Sequence, residues 1–219
     1  MRLPIVAGPL LGRWWLPQSR GKILRILGGT YEPEQTRLFQ KHVTQGATVL
    51  DVGAHVGYYT LLASVLVGPN GRVCAFEPNP ENHGFLCKHV LLNELTNVTM
   101  ENAAVSNSNG TASFAFGTGS GTGRLAEHGV LDVRTVRLDD FCRERKVEPD
   151  FLKIDVEGAE LDVLRGADEV IRSHHPVIFL STHGEDVHGE CLVWLGDRGY
   201  TLLPVAGTDL DSATEILCT

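Results

Sequence analysis

Asp155 and Glu157 stand two residues apart, just past the apolar run Phe151–Ile154. Alternate residues of a strand leave it on the same side, so this spacing predicts two carboxylates side by side. Carboxylates held that close can share a proton, which suits one of them to act as a base. As a pair they can also offer hard oxygen ligands to a metal. A plainer reading has Glu157 capping a helix that begins at Ala159, where the helix dipole favours an acid. His183 follows the next apolar run, Pro176 to Leu180. An imidazole there can take a proton from a hydroxyl near neutral pH, or it can serve as an ordinary hydrogen-bonding loop residue. His183, Glu185, His188 and Cys191 imitate a metal cluster. His188 and Cys191 fall on a predicted helix with the cysteine toward the core, so no metal site is predicted. His174 and His175 precede the fifth strand, at the end away from the ligand edge, and read as structural.

A second group surrounds Val49-Leu50-Asp51-Val52-Gly53-Ala54-His55-Val56-Gly57. An apolar, β-favouring run breaks at a glycine and continues into a helix. That arrangement predicts free backbone N–H groups at the C-terminal edge of the strand, where a ligand can lie. A dinucleotide fingerprint needs G-x-G-x-x-G, and only Gly53 and Gly57 are present. No Gly-Lys-Ser/Thr follows, so the turn is not a P-loop. The bland alternative is a βα turn with Asp51 as the helix cap. A further acid, Glu77, ends the next apolar run.

These residues must be positioned by strands, and the strands alternate with helices. The predicted strands are Thr48 to Val52, Arg72 to Phe76, Val98 to Glu101, Phe151 to Ile154, Pro176 to Leu180, Tyr200 to Pro204 and Glu215 to Cys218. Predicted helices include Glu34 to Gln45, the segment after Gly57 to about Val67, Glu81 to Leu92, and about Val187 to Asp197. The alternation specifies an α/β fold, a doubly wound, mainly parallel, seven-stranded Rossmann-like sheet that binds ligands at the strands' C-terminal edges. Only about ten residues join the last two strands, which suits a hairpin and an antiparallel last strand. Residues 110–137 read as a β-hairpin insertion between the third and fourth strands, with a Gly/Ser/Thr tip at Gly117–Gly123. The tip belongs to a segment the core sheet does not need, and it is expected to serve acceptor access. Residues 1–30, rich in Gly and Pro with Trp14 and Trp15 adjacent, read as an N-terminal arm, lying over the core or making a homodimer contact. Residues 31–219 read as a single domain.

Composition bounds the partners. The formal net charge is −8, and no long Lys/Arg run occurs, so nucleic acid is not an expected partner. No stretch reaches the ~18 apolar residues of a membrane span. Cys74, Cys87, Cys142, Cys191 and Cys218 are odd in number and scattered, without C-x-x-C, which reads as reduced thiols in a cytoplasmic protein.

The whole set resembles the FkbM-type S-adenosylmethionine (SAM)-dependent methyltransferases, within the class I methyltransferase fold. Asp51-Val-Gly-Ala-His-Val-Gly-Tyr-Tyr-Thr60, Ala75-Phe-Glu-Pro-Asn-Pro80 and Leu152-Lys-Ile-Asp-Val-Glu-Gly-Ala-Glu160, the last followed by Val163-Leu164-Arg165-Gly166-Ala167, carry the likeness, which extends from about Tyr31 to Pro204. The resemblance implies O-methylation of a hydroxyl on a small molecule, sugar or natural-product precursor, with SAM as the methyl donor. It implies that Asp51 and the turn Gly53-Ala54-His55, with Gly57, hold the methionyl part. Glu77 would bind both ribose hydroxyls, Pro78 and Asn79 would flank the adenine, and Asn102 with Ala103 would meet its edge. Asp155 would lie near the sulfonium. Two departures stand out: the family usually has Asn at the position of His55, and many relatives carry Glu where this chain has Ser181. If that acid is catalytic, His183 or Glu157 must replace it. Rival readings are a SAM-binding regulatory module without transfer activity and an NAD-dependent oxidoreductase using Glu77.

Overall fold

The computed structural model describes residues 1–19, 22–116, 123–125 and 129–219. The main sheet is built from β1 (Thr48–Val52), β2 (Arg72–Phe76), β3 (Val98–Glu101), β4 (Phe151–Ile154), β5 (Val177–Ser181), β6 (Leu202–Pro204) and β7 (Glu215–Cys218). Their order is β6-β7-β5-β4-β1-β2-β3. Strands β1 to β5 run parallel, and β7 runs antiparallel between β5 and β6. The chain winds outward in both directions from the β1/β4 pair, so a crevice opens above the C-terminal ends of those two strands.

Helices cover both faces because the central strands are apolar on both sides. Leu50, Val52, Leu152 and Ile154 pack with residues of α5 (Leu138–Arg145), α6 (Glu160–Gly166), α7 (Asp168–His174) and α8 (Glu185–Gly196). Val49, Phe151 and Phe179 point the other way, toward α2 (Pro33–His42) and α3 (Tyr58–Val67). The alternation along β1 and β4 therefore turns Asp51 and Lys153 toward α3, and the two are register partners. α2 starts and ends earlier than the predicted Glu34 to Gln45, with Pro33 supplying a preset φ in its first turn.

The described residues among the first 30 form more regular structure than their composition suggested. Leu3–Pro4 pairs with Trp14–Trp15, and α1 spans Ile23–Leu27. Ile5, Leu10 and Trp15 are buried in the same apolar cluster as Phe39 and Leu62. Trp15 stacks on His89 of α4 (Pro80–Leu92) with ring centroids 3.8 Å apart. His89 accepts from Leu16 N–H at 3.0 Å through Nε2, and its Nδ1 donates to Val56 O at 2.7 Å. Burial holds this imidazole down at about 4, so one neutral ring ties the arm, α4 and the turn after β1 together.

Between β3 and β4 lies a second sheet of Ala104–Val105, Leu131–Val136, Gly110–Phe116 and Gly123–Leu125, in that order. Except for Gly123, the tip predicted at Gly117–Gly123 lies outside the described residues. No helix among the described residues is long and apolar enough to cross a membrane. All five cysteines are free.

Candidate active site

A cavity of about 510 Å³ lies over the C-terminal ends of β1, β2, β4 and β5. Its floor is the turn after β1. Gly53 has φ +80°, and a Cβ there would come 1.8 Å from Asp155 O, so only glycine lets β1 and β4 approach. Gly57, at φ +97°, starts α3 against Leu86, where a Cβ would come within 2.7 Å of Cδ1, and it does not line the cavity. The prediction of free N–H groups in this turn is corrected. Gly53 N–H and Ala54 N–H both donate to Phe76 O, at 3.0 and 2.9 Å. His55 N–H donates to Glu77 Oε2 at 2.8 Å. The N–H groups of Gly53, Ala54 and His55 are thus spent on the end of β2. His55 has φ 52°, in the left-handed region where Asn and His are enriched, which accounts for one standing in for the other. Its side chain lines the cavity, and burial, then Lys153, lower its pKa.

Glu77 is 5% exposed, and its carboxylate accepts from His55 N–H and from Asn79 N–H at 2.9 Å. Burial raises its pKa to about 7 against the pull of those bonds. Pro78 and Ala103 line the cavity beside it. Asn79 and Asn102 do not. Asn79 caps α4, its Oδ1 accepting from Glu81 N–H at 2.9 Å, the capping role its type favours before a proline. Asn102 donates through Nδ2 to Glu77 O and Pro78 O, at 2.8 and 3.1 Å, so it braces the turn after β2.

Asp51 also turns away from the cavity. It is fully buried and accepts from Thr60 Oγ1 of α3 at 2.6 Å. Lys153 Nζ lies 3.5 Å from Asp51 and 3.6 Å from Asp155. Burial pulls the Lys153 pKa down, and Asp155 and Asp51 together reverse this, so the net direction is upward. The ammonium stays charged, and it links the buried end of the site to Asp155 at the cavity wall. Lys153 is a residue that sequence reasoning missed. The signal was a lysine on a strand otherwise apolar throughout.

Asp155, Glu157 and His183 do converge. Nε2 of His183 is 3.9 Å from Asp155 and 3.7 Å from Glu157, and one polar atom from each of the three falls within 4.8 Å of the others. The reason is not strand alternation, because β4 ends at Ile154. Glu157 takes a left-handed φ of 60° and Gly158 one of 108°, and this turn brings Glu157 back over the cavity. Nor does Glu157 cap the next helix. Glu160, the first residue of α6, takes the preceding N–H, its Oε1 accepting from Gly158 at 2.9 Å. The same Oε1 lies 2.8 Å from His183 Nδ1. That bond, more than the opposing burial, raises the His183 pKa, with Asp155 and Glu157 adding to it. His188 bonds Thr182 Oγ1 and Leu210 O, and Cys191 is buried in the core, so neither faces His183. His175 stacks on Tyr200 at the opposite end of the sheet.

Two further carboxylates line the cavity. Glu32, at φ 40° before α2, accepts from Tyr59 O–H at 2.8 Å. Burial and Glu32 push the Tyr31 and Tyr59 phenols up, so both remain hydroxyls. Glu215 of β7 is the register partner of Ser181 on β5 and accepts from Gln35 Nε2 at 2.6 Å. Burial raises its pKa. A carboxylate thus stands directly across the strand pair from Ser181. Nothing local in the sequence marked Glu32 or Glu215, since both arrive from segments distant in the chain.

A mostly parallel seven-stranded α/β sheet with its cavity above the β1/β4 switch point defines a class I methyltransferase-like fold. The family described as "Methyltransferase FkbM domain" matches residues 51–202, and the chain belongs to that family. The hexuronic acid methyltransferase AglP of Haloferax volcanii is 29% identical over 164 residues, 74% of this chain and 66% of that protein. The 2-O-methyltransferase NoeI of Sinorhizobium fredii is 28% identical over 144 residues, 56% of this chain and 58% of that protein. The chain therefore spans less than two thirds of either relative's length. The crystal structure of methyltransferase FkbM from Methylobacillus flagellatus superposes with a TM-score of 0.58 at 19% identity, covering 90% of this chain and 52% of that one.

Proposed function

We propose that this protein is a SAM-dependent O-methyltransferase acting on a hydroxyl of a small molecule, sugar or natural-product precursor. One observation carries the reading: Glu77, at the end of β2, is pinned by two backbone N–H groups with its carboxylate in the cavity wall. A carboxylate fixed there can accept from both hydroxyls of a ribose. Membership of the family and the names of the two relatives support methyl transfer, and NoeI's name supports oxygen as the acceptor atom.

In this assignment Glu77 binds the ribose, Pro78 and Ala103 line the adenine side, and the backbone of Gly53, Ala54 and His55 borders the methionyl part. Asn79 acts through the helix α4 that it caps, Asn102 through the turn that it braces, and Asp51 through Lys153. SAM, when bound, supplies an electrophilic methyl group. The chain's own task is alignment and proton removal. Asp155 positions the reacting groups. Its attraction for a positive sulfonium cannot by itself speed transfer, because that charge fades in the transition state. His183 is the base, with Glu157 beside it, and no metal is assigned to the trio. Residues 31–219 form the catalytic domain, with residues 1–30 as an arm on it. The hairpin insertion of residues 110–137, with its Gly117–Gly123 tip, controls acceptor access.

Mass spectrometry of the purified protein tests the cofactor directly, with carried-over SAM or its demethylated product as the expected finding. A screen of hydroxyl acceptors then separates an enzyme from a binding module. Tight NAD binding without SAM binding would sink the assignment.

A further inference from the structure

Glu160 is wholly buried, and its Oε2 has no hydrogen-bond partner among the described residues. No Lys or Arg pairs with it among the described residues; the one cation within ion-pair distance is His183, when protonated. A buried carboxylate with no fixed cation beside it is costly, and the bonds to Oε1 from Gly158 and His183 are what offset that cost. The direction of that bond follows from the geometry. A carboxylate can only accept, and Oε1 already takes Gly158 N–H at 2.9 Å, so with Glu160 ionised the 2.8 Å contact is Nδ1–H donating to Oε1.

We propose that Glu160 is the positioning residue of His183, holding the neutral imidazole as the Nδ1–H tautomer so that Nε2 is the proton acceptor facing the cavity. This rests on the reading of His183 as the base. A carboxylate behind a histidine fixes ring orientation and tautomer, and stabilises the imidazolium that forms during reaction. The imidazole is faced by Glu160 from α6 and by Asp155 and Glu157 from the turn after β4. As the acceptor oxygen bonds to the methyl carbon, the carbon–sulfur bond breaks with its electron pair staying on sulfur. The hydroxyl proton passes to Nε2. The positive charge lost at sulfur reappears as an imidazolium between three carboxylates. At 3.7 and 3.9 Å, Nε2 makes no direct hydrogen bond to Glu157 or Asp155, which leaves it open to an acceptor hydroxyl.

Nitrogen NMR of the ¹⁵N-labelled full chain tests this without an acceptor, with the His183 signals identified by their loss in His183→Gln. The wild type should show the Nδ1–H tautomer, titrating with a midpoint above that of a free histidine. In Glu160→Gln, checked for fold by circular dichroism, the midpoint should fall and the Nε2–H tautomer should gain population. Once an acceptor is found, kcat of Glu160→Gln on the alkaline plateau should fall about 10-fold or more with KM little changed. An Nε2–H tautomer in the wild type overturns the proposal, and that measurement stands even if Glu160→Gln does not fold. An unchanged midpoint and tautomer in a folded Glu160→Gln overturns it equally. Failure of the base reading looks different: His183→Ala would keep its turnover while the wild-type tautomer stayed as proposed.

Discussion

Cofactor affinity should depend on pH through Glu77. Burial lifts its carboxyl to about 7. Two ribose hydroxyls donating to it would favour the charged form and lower that value on binding. Below pH 7 a growing share of the free protein carries a proton that must leave before SAM binds. At pH 6 that requirement weakens binding about tenfold relative to the alkaline plateau, or ~1.4 kcal/mol, and at pH 8 the effect has nearly gone. Imidazolium at His183 would repel a sulfonium in the same direction, so the measurement belongs in His183→Ala. Calorimetry from pH 6 to 8, in buffers of different ionisation enthalpy, should show affinity rising with pH and proton release on binding near pH 6. Glu77→Gln should remove the pH dependence and weaken plateau binding by about 2 kcal/mol through lost charge-assisted hydrogen bonds. Equal affinity at pH 6 and 8, without proton release, would refute the reasoning and take Glu77 out of the ribose site.

With an acceptor found, His183→Ala should lose ~10²–10⁴-fold in turnover. The wild-type acid limb should lie above the free-histidine value, because His183 is raised and must be unprotonated to act; near-wild-type turnover with the same limb in His183→Ala would transfer the role to Glu157. Lys153→Met leaves Asp51 buried without its cation and should cost about 3–5 kcal/mol in urea unfolding; a loss under 1 kcal/mol would show that Thr60 alone satisfies Asp51. His89 has a folded value near 4, below that of the unfolded chain, so the unfolded state binds the proton first and stability drains away as pH falls from about 6.5 through 4. The loss amounts to ~3 kcal/mol; denaturation midpoints of wild type and His89→Gln that fall in parallel over this range would discount it.

The sequence by itself determined the kind of fold. Local signals suffice where a run of Val, Leu and Ile ends in a glycine turn and an amphipathic or buried helix follows, because side-chain period and turn chemistry are properties of neighbours in the chain. They also placed Glu77, Asp155 and Glu157 at strand ends, and the parallel sheet then gathers such ends above one edge. The structure brings Glu77, Asp155, Glu157 and His183 to a single cavity. What local pattern could not decide is where a charged side chain turns once partners from distant segments arrive. Asp51 sits in the same motif as Gly53, yet it points into the α3 layer because Thr60 and Lys153 satisfy it there. Asn79 spends its side chain capping α4, and Asn102 spends its amide on the turn after β2, rather than on the cavity. Glu160 stands in the first turn of α6, and its partner His183 reaches it only when the chain from β5 is laid alongside, 23 residues on. Glu215 meets Ser181 only through the antiparallel register of β5 and β7. Strand order, register and the burial of ion pairs are set by contacts between residues far apart in the chain, and those contacts exist only once the sheet has closed around its core.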